Sequence, residues 1–314
     1  MNMNLLKQHA IWAVFIAEII IFAIASEGKF ITGHNIMNIS RQVSYYGIAA
    51  IGMTFVILIA DIDLSIGSII TLVNVVCAWL MVAAGVNMWI AVLISLAMAT
   101  CIGLVNAVMV AAVGIPALIA TFASQTVFEG VAYLISGGRP ISGFDSGFGI
   151  FARWAIADAI PVCAVIMVAC FAIGSFILNK TYFGRYFYAI GGNEEAAELS
   201  GIRVNRVKYL IYALSGFFAG LAGIVLLSRS GSAQSTVGKG LEFDVITCVV
   251  LGGVSVYGGV GSMSGVIAGV LIIGSLTNGM ILMDVSQYTQ MVVKGLVLAV
   301  AVGIDCMSKK RQRP

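Results

Sequence analysis

With 314 residues, 60% of them hydrophobic and only 10% charged, the chain carries far less charge than the roughly 25% of a soluble domain and reads as an integral membrane protein. Its net charge of +3 comes with no basic patch, which argues against nucleic acid as a partner. Thirty-six glycines against four prolines suit membrane helices that pack closely.

A helical crossing needs about 20 mostly apolar residues. Ten stretches qualify: residues 10–25, 44–60, 65–85, 88–112, 116–136, 159–178, 208–228, 241–257, 260–283 and 287–304. They lack strand-turn punctuation, so the expected fold is an all-α polytopic membrane protein rather than a barrel, with residues 1–314 as one transmembrane domain. The first span follows Lys7 and ends in AIAS, an outline like a signal peptide. Glu18 in its middle and the loop behind it favour a retained helix.

Between the second and third spans, GMTFVILIADIDLSIGS places Asp61 and Asp63 between two short apolar runs. In a continuous helix the two would point apart; in a break, Asp63 or Ser65 can cap the helix that follows. This break is either a structural cap or an element of a substrate path. Asn74, Asn106, Gln125, Glu129 and Asn278 also fall inside spans. Intramembrane polar groups mark pathways or glue helices together. Glu129 and Lys294, each some turns into its span, form a candidate ion pair.

The outer loop 137–159 holds Arg139 and Arg153, and its stretch from Phe148 to Trp154 is expected in the headgroup zone. The loop is a candidate docking surface for a protein at the outer face, or alternatively a lipid-facing anchor. Residues 179–207 then form a polar inner segment. Within it, Asn193 suits an N-cap, Glu194 and Glu195 a helix start, and Gly201 a stop. The helix is about two turns, too short to stand alone. Its small face, Ala196 and Ala197, suits close approach of another surface; the bland alternative is a loop helix on the membrane.

GFFAG (216–220) and GVIAG (265–269) allow close helix contact, more plausibly within the chain than between copies. VVLGGVSVYGGVGSMSGV interrupts an apolar run with glycines and faintly resembles the Asp61 stretch. Such broken helices in both halves suggest an internal repeat. Under a ten-span count, however, both joints have the same polarity, which an inverted repeat does not produce.

Orientation follows from basic residues. The inner segments would hold Lys7, Lys180, Arg185, Arg203, Arg206, Lys208, Lys309, Lys310, Arg311 and Arg313; the outer loops hold Lys29, Arg41, Arg139, Arg153, Arg229 and Lys239. That bias puts both termini in the cytoplasm. No cofactor, metal or catalytic constellation is expected. There is no HExxH or GxSxG, and the histidines, His9 and His34, are far apart. The six cysteines have no ligand spacing. Ahead of Gly238-Lys239, Ala233 stands where a P-loop needs glycine, and Gly240 follows where it needs Ser or Thr.

GRYFYAIGGNEEAAELSGIRV, GMTFVILIADIDLSIGSI and SAQSTVGKGLEFDVITCVVLGGVSVYGGVGSMSGVIAG together resemble the permease subunits of bacterial ABC importers of the ribose, xylose, galactoside and autoinducer-2 group, over about residues 40–305. One departure is Asp61, where the family's GMTxVILxxGIDLSVGS pattern has glycine. The resemblance implies a permease in the bacterial inner membrane that works as a dimer with itself or a paralogue. It implies a cytoplasmic ABC ATPase subunit docked at Gly192, Asn193, Glu194, Glu195, Ala196, Ala197, Ser200 and Gly201. It also implies a periplasmic sugar-binding protein and import of a monosaccharide driven by ATP hydrolysed on the partner, so the chain itself is not an enzyme. The rival from another class is an ion-coupled secondary transporter, for which Asp61 with Asp63 is the candidate carboxylate pair. A channel is disfavoured by the lack of a ring motif.

Overall fold

The structure is a computed structural model that describes residues 3–310, with side chains from 11 to 307. Arg311 and Arg313, which entered the orientation count, lie outside the described residues, as do the side chains of Lys7, Lys309 and Lys310. The described chain is predominantly helical. Its first half runs α1 (Met3–Ala25), α2 (Gly33–Leu58), α3 (Ile66–Val82), α4 (Met88–Ala107, extended by a π turn, Val108–Ala112), α5 (Ala117–Ser136) and α6 (Val162–Lys180). Two short helices follow, α7 (Tyr182–Gly192) and α8 (Glu194–Leu199). The remainder is α9 (Val204–Ser230), α10 (Leu241–Leu251), α11 (Met263–Leu282) and α12 (Gln287–Lys310). Local chemistry sets many of the ends. Thr32, Asn87, Asn193 and Ser262 each accept a backbone N–H at a helix start, and left-handed Gly137 and Gly231 stop α5 and α9.

Among the described residues, six helical stretches, Met88–Ala112, Ala117–Ser136, Val162–Lys180, Val204–Ser230, Met263–Leu282 and Gln287–Met307, are long and apolar enough to cross a membrane. α2, α3, α9 and α11 form the buried centre, while α4, α5 and α6 each bury one face and leave an apolar face outward, and α12 lies against the bundle with Ala301 alone buried among its described side chains. A helix that is apolar all round yet covered on one side only is at home in lipid. Both GxxxG pairs pack within the chain. Gly216 and Gly220 lie against Ala99 of α4, and Gly265 and Gly269 against Gly252 and Cys248 of α10.

Long helices consecutive in the chain run antiparallel, so the connections gather at two ends. One end carries the loop 137–161, where Ile141–Ser142 pairs antiparallel with Ser232–Ala233. Phe148 is fully buried there, its carbonyl receiving the Ser228 hydroxyl at 2.7 Å. That corrects the expectation of an aromatic run in the headgroup zone: Trp154, 59% exposed, faces outward, whereas Phe148 packs between Phe144 and Phe151. The other end gathers the α2–α3 break, α7, α8 and the loop 252–262.

α10 is shorter than the expected span 241–257. Eleven residues rise only about 16 Å, half a hydrocarbon core. Its first turn meets the middle of α2, where the Tyr46 hydroxyl donates to Asp244 at 3.0 Å. The chain therefore passes from α9 into the bundle before α10 starts. The two chain breaks lie together at the same end, joined by Gly259 N–H to the Leu58 carbonyl at 2.9 Å. This agrees with the same polarity read for the two joints. Gly191 fits into that joint with no room for a side chain: a Cβ there would collide with the Leu58 carbonyl and the Gly259 nitrogen, whereas Gly192 beside it has open space. Gly191→Val is expected to destabilise the protein by at least about 2 kcal/mol, and Gly192→Ala to be near neutral, in thermal unfolding of the purified protein in detergent.

Candidate functional site

Three polar assemblies stand out, and the first is the α2–α3 break. α2 ends at Leu58 and Ala60 takes a left-handed φ of +66°. The freed backbone is then satisfied by side chains. Asp63 Oδ1 accepts the Ser65 N–H at 3.0 Å and the Ser65 hydroxyl at 2.5 Å. Its Oδ2 accepts the Ser215 hydroxyl of α9 at 2.8 Å. Asn106 of α4 donates to Ser65 Oγ at 2.7 Å and accepts the Ser124 hydroxyl of α5. Thr121 Oγ1 sits 3.1 Å from both the Ile62 carbonyl and the Leu64 N–H. Asp61 accepts the Tyr212 hydroxyl at 3.1 Å. Asp63, Ser65, Asn106 and Ser215 are all fully buried. Three of the expected pathway residues, Asp63, Ser65 and Asn106, thus belong to one network, and Asp61 sits beside it on Tyr212.

The second assembly surrounds the start of α10. Gln125 donates to Glu242 at 3.1 Å and more weakly to Glu129 at 3.5 Å. Lys294 of α12 pairs with Asp244 at 2.7 Å and lies 5.9 Å from the Tyr46 ring centre. The Glu129–Lys294 pair read from the sequence is therefore not formed. Lys294 reaches the helix across from its own, and Glu129 stays on α5 beside Gln125. Glu242 and Asp244 occupy the first turn of α10, where the helix dipole favours negative charge. The other two candidates lie elsewhere. Asn74 donates to the Gly223 carbonyl at 3.4 Å, and Asn278 accepts from Asn35 at 2.9 Å near the opposite end. Both act as links between helices.

The third assembly is α8. Asn193 accepts the Ala196 N–H at 2.9 Å, Glu194 and Glu195 fill the first turn, and Gly201 is left-handed. Gly192, Ala196 and Ser200 are exposed, but Ala197 is buried against the bundle and offers no docking face. Leu199 instead projects outward, 91% exposed. Glu194 forms an ion pair with Lys208 of α9 at 2.7 Å. Of the two loop arginines, Arg139 is exposed, while Arg153 donates to the Ser228 carbonyl at 2.9 Å and is engaged at the end of α9.

Sequence reasoning missed Tyr46, Thr121, Ser124, Tyr212, Ser215, Glu242 and Asp244. The two carboxylates were discoverable, because each is an ionisable residue in a candidate span. The hydroxyls were not: serine and threonine inside helices mostly bond their own preceding turn and carry no distinctive signal. Removing the partner of a buried charge costs about 3–5 kcal/mol. Lys294→Met is expected to destabilise the chain by that order, and adding Asp244→Asn to recover most of the loss, measured by thermal unfolding in detergent.

Comparison with known proteins gives these geometries a setting. Residues 35–302 match the family described as branched-chain amino acid transport system / permease component. The ribose import permease protein RbsC of Haemophilus influenzae is 44% identical over 296 residues, covering 93% of this chain and 91% of the relative. RbsC of Bacillus subtilis is 44% identical over 279 residues, covering 88% and 86%. The L-arabinose transport system permease protein AraH of Escherichia coli is 39% identical over 291 residues, covering 91% and 86%. No solved structure matches. A match over most of the chain, together with relatives of this identity, places it: the protein is a multi-pass membrane protein that belongs to the branched-chain amino acid transport system / permease component family.

Proposed function

We propose that the chain is the membrane subunit of an ATP-binding-cassette importer that carries a monosaccharide, a pentose such as ribose, across the inner membrane, with ATP hydrolysed on a partner. Relatives named for ribose, L-arabinose and xylose support the pentose. The observation that carries the reading is α8. In a chain of this hydrophobicity, a six-residue helix stands with the short α7 between the long α6 and α9 and projects Leu199 among Glu194, Glu195 and Glu198. An exposed apolar knob with an acidic rim is what a basic-edged groove on a soluble partner would take.

On this reading the end that holds α8 is cytoplasmic. Counting α10 as a half-length crossing gives ten passages, with both termini in the cytoplasm. A second permease subunit would cover the apolar faces left by the outer helices, shared with lipid. The α2–α3 network and the Gln125–Glu129–Glu242 group would line or border the sugar path. A periplasmic sugar-binding protein would land at the opposite end, near Arg139 and the 137–161 loop, where Arg153 helps hold the loop in place. The ion-coupled alternative needs available carboxylates, whereas Asp61 and Asp63 already receive donors from Tyr212, Ser65 and Ser215.

The test is uptake in proteoliposomes assembled with the ATPase and binding protein. Labelled D-ribose, L-arabinose or D-xylose should enter on addition of ATP; uptake driven by an ion gradient without ATP would refute the reading. Glu195→Lys with Leu199→Asp, which leaves the Glu194–Lys208 pair intact, is expected to cut ATPase copurification and uptake by at least about tenfold. At the other end, Arg139→Glu should weaken stimulation of the ATPase by liganded binding protein. Salt should weaken the wild-type stimulation too, because exposed charges are screened beyond about 8 Å at physiological ionic strength.

A further inference from the structure

Three residues on one face of α9 each hold a different part of the molecule. Lys208 Nζ meets Glu194 Oε1 of α8 at 2.7 Å. Tyr212, one turn on, donates to Asp61 at 3.1 Å. Ser215, nearly another turn on, donates to Asp63 at 2.8 Å. The spacing i, i+4, i+7 puts all three on one stripe of the helix. The stripe therefore runs from α8 to both carboxylates of the α2–α3 break. Lys208 is largely buried, its side chain 11% exposed, whereas Glu194 keeps 48% exposure. Asp61 lies within electrostatic reach of both Lys208 and Glu194. One lysine thus pairs with Glu194 and, one turn from the Tyr212 that bonds Asp61, also acts on that less exposed carboxylate.

We propose that Lys208 is a positioning residue that couples displacement of α8 to the α2–α3 break, with Asp61 as the group that registers the change. When α8 is pulled away, Glu194 is free to draw Lys208 after it. Asp61 then loses the positive charge that acts on it, and the break it helps to hold shifts its balance between two arrangements. The proposal rests on α8 being the seat of the ATPase. Asp61 is also the position where the resembled permeases carry glycine, so this link would be a feature of this chain rather than of the whole group, and neutralising Asp61 should leave the fold intact.

The test is a double-mutant cycle in the assembled complex of permease, ATPase and binding protein. Two readouts are taken: pentose moved per ATP hydrolysed, with D-ribose, L-arabinose and D-xylose as probes, and the ATP-dependent change in maleimide labelling of a cysteine placed at Ile62. Lys208→Met is expected to lower the sugar moved per ATP by about fivefold or more and to abolish the ATP-dependent change in labelling. Asp61→Asn alone should lower both readouts to a similar degree, because the carboxylate that registers the change is gone. Asp61→Asn added to Lys208→Met should lower them no further than either change alone, because the two residues act through one link. A merely structural lysine would instead add its loss to that of Asp61→Asn. Wild-type readouts in Lys208→Met, with ATPase still copurifying, would overturn the proposal. So would losses from the two changes that add. Failure of the ATPase to copurify even with the wild-type chain would instead remove the reading of α8, and this proposal with it.

Discussion

Backbone groups freed inside a membrane protein have no water to turn to, and the architecture follows from how this chain meets that constraint. Two segments leave the helical pattern at one end of the bundle, partly beneath its surface, between Leu58 and Ile66 and between Leu251 and Met263. Each supplies part of what the other lacks, since Gly259 N–H caps the Leu58 carbonyl. Side chains supply the rest. Asp63 takes the Ser65 N–H, Thr121 bridges Ile62 and Leu64, and Asp305 of α12 accepts the Ser255 hydroxyl and the Val256 N–H at 3.0 and 3.1 Å. The breaks therefore fix where α4, α5, α9 and α12 must stand. The small residues along α4, α9, α10 and α11 follow from the same demand, because donors and acceptors meet only where helices approach closely.

Charge placement obeys a related rule. Asp244 is matched by Lys294, and Asp63 is surrounded by hydroxyl and backbone donors rather than by a cation. Glu242 has weaker support: one oxygen accepts from Gln125, and the other is buried without a hydrogen-bond partner among the described residues. Its place in the first turn of α10 lets the helix dipole share the load. A half-length helix beginning at mid-depth thereby makes room for two carboxylates that a full crossing would bury in hydrocarbon.

Much of this was legible in the residues, and what was not has specific causes. The caps of α8 and the role of Asp63 could be read because short polar side chains beside free backbone donors have few other uses. The permease resemblance, carried by three long motifs, agrees with the family match over residues 35–302. The length of α10 was not legible. The loop after it, VSVYGGVG, is itself apolar and half-buried, so hydropathy runs on past Leu251 where the helix does not. Lys294 was matched to the wrong carboxylate because depth along a span says nothing about which helices are neighbours. Phe148 looked like an interfacial aromatic for a similar reason: composition cannot tell a ring that faces lipid from one that plugs the end of α9. Ala197 was read as part of a contact face, yet in a helix of less than two turns only the packing decides which side is turned inward.

The two ends of the bundle are built differently, and that difference bears on what the molecule can do. At the end with the 137–161 loop, α9 is stapled. Arg153 and Ser228 bond across its last turns, the loop strand pairs with residues 232–233, and Phe148 is driven under the helix end. At the other end, α7, the α2–α3 break and the 252–262 loop meet backbone to backbone at Gly191, Gly258 and Gly259, while the buried Phe187 ring of α7 packs on Phe55 of α2 and the Tyr188 hydroxyl donates to the Gly261 carbonyl. Parting that surface would break a few hydrogen bonds and uncover the Phe187 ring, and the charges on Glu194, Lys208 and Asp61 add an electrostatic part to the cost. That electrostatic part can be biased from outside by shifting a charged helix, whereas the ring contact cannot. On the proposed reading of α8, this is therefore the end at which a displacement from outside would act.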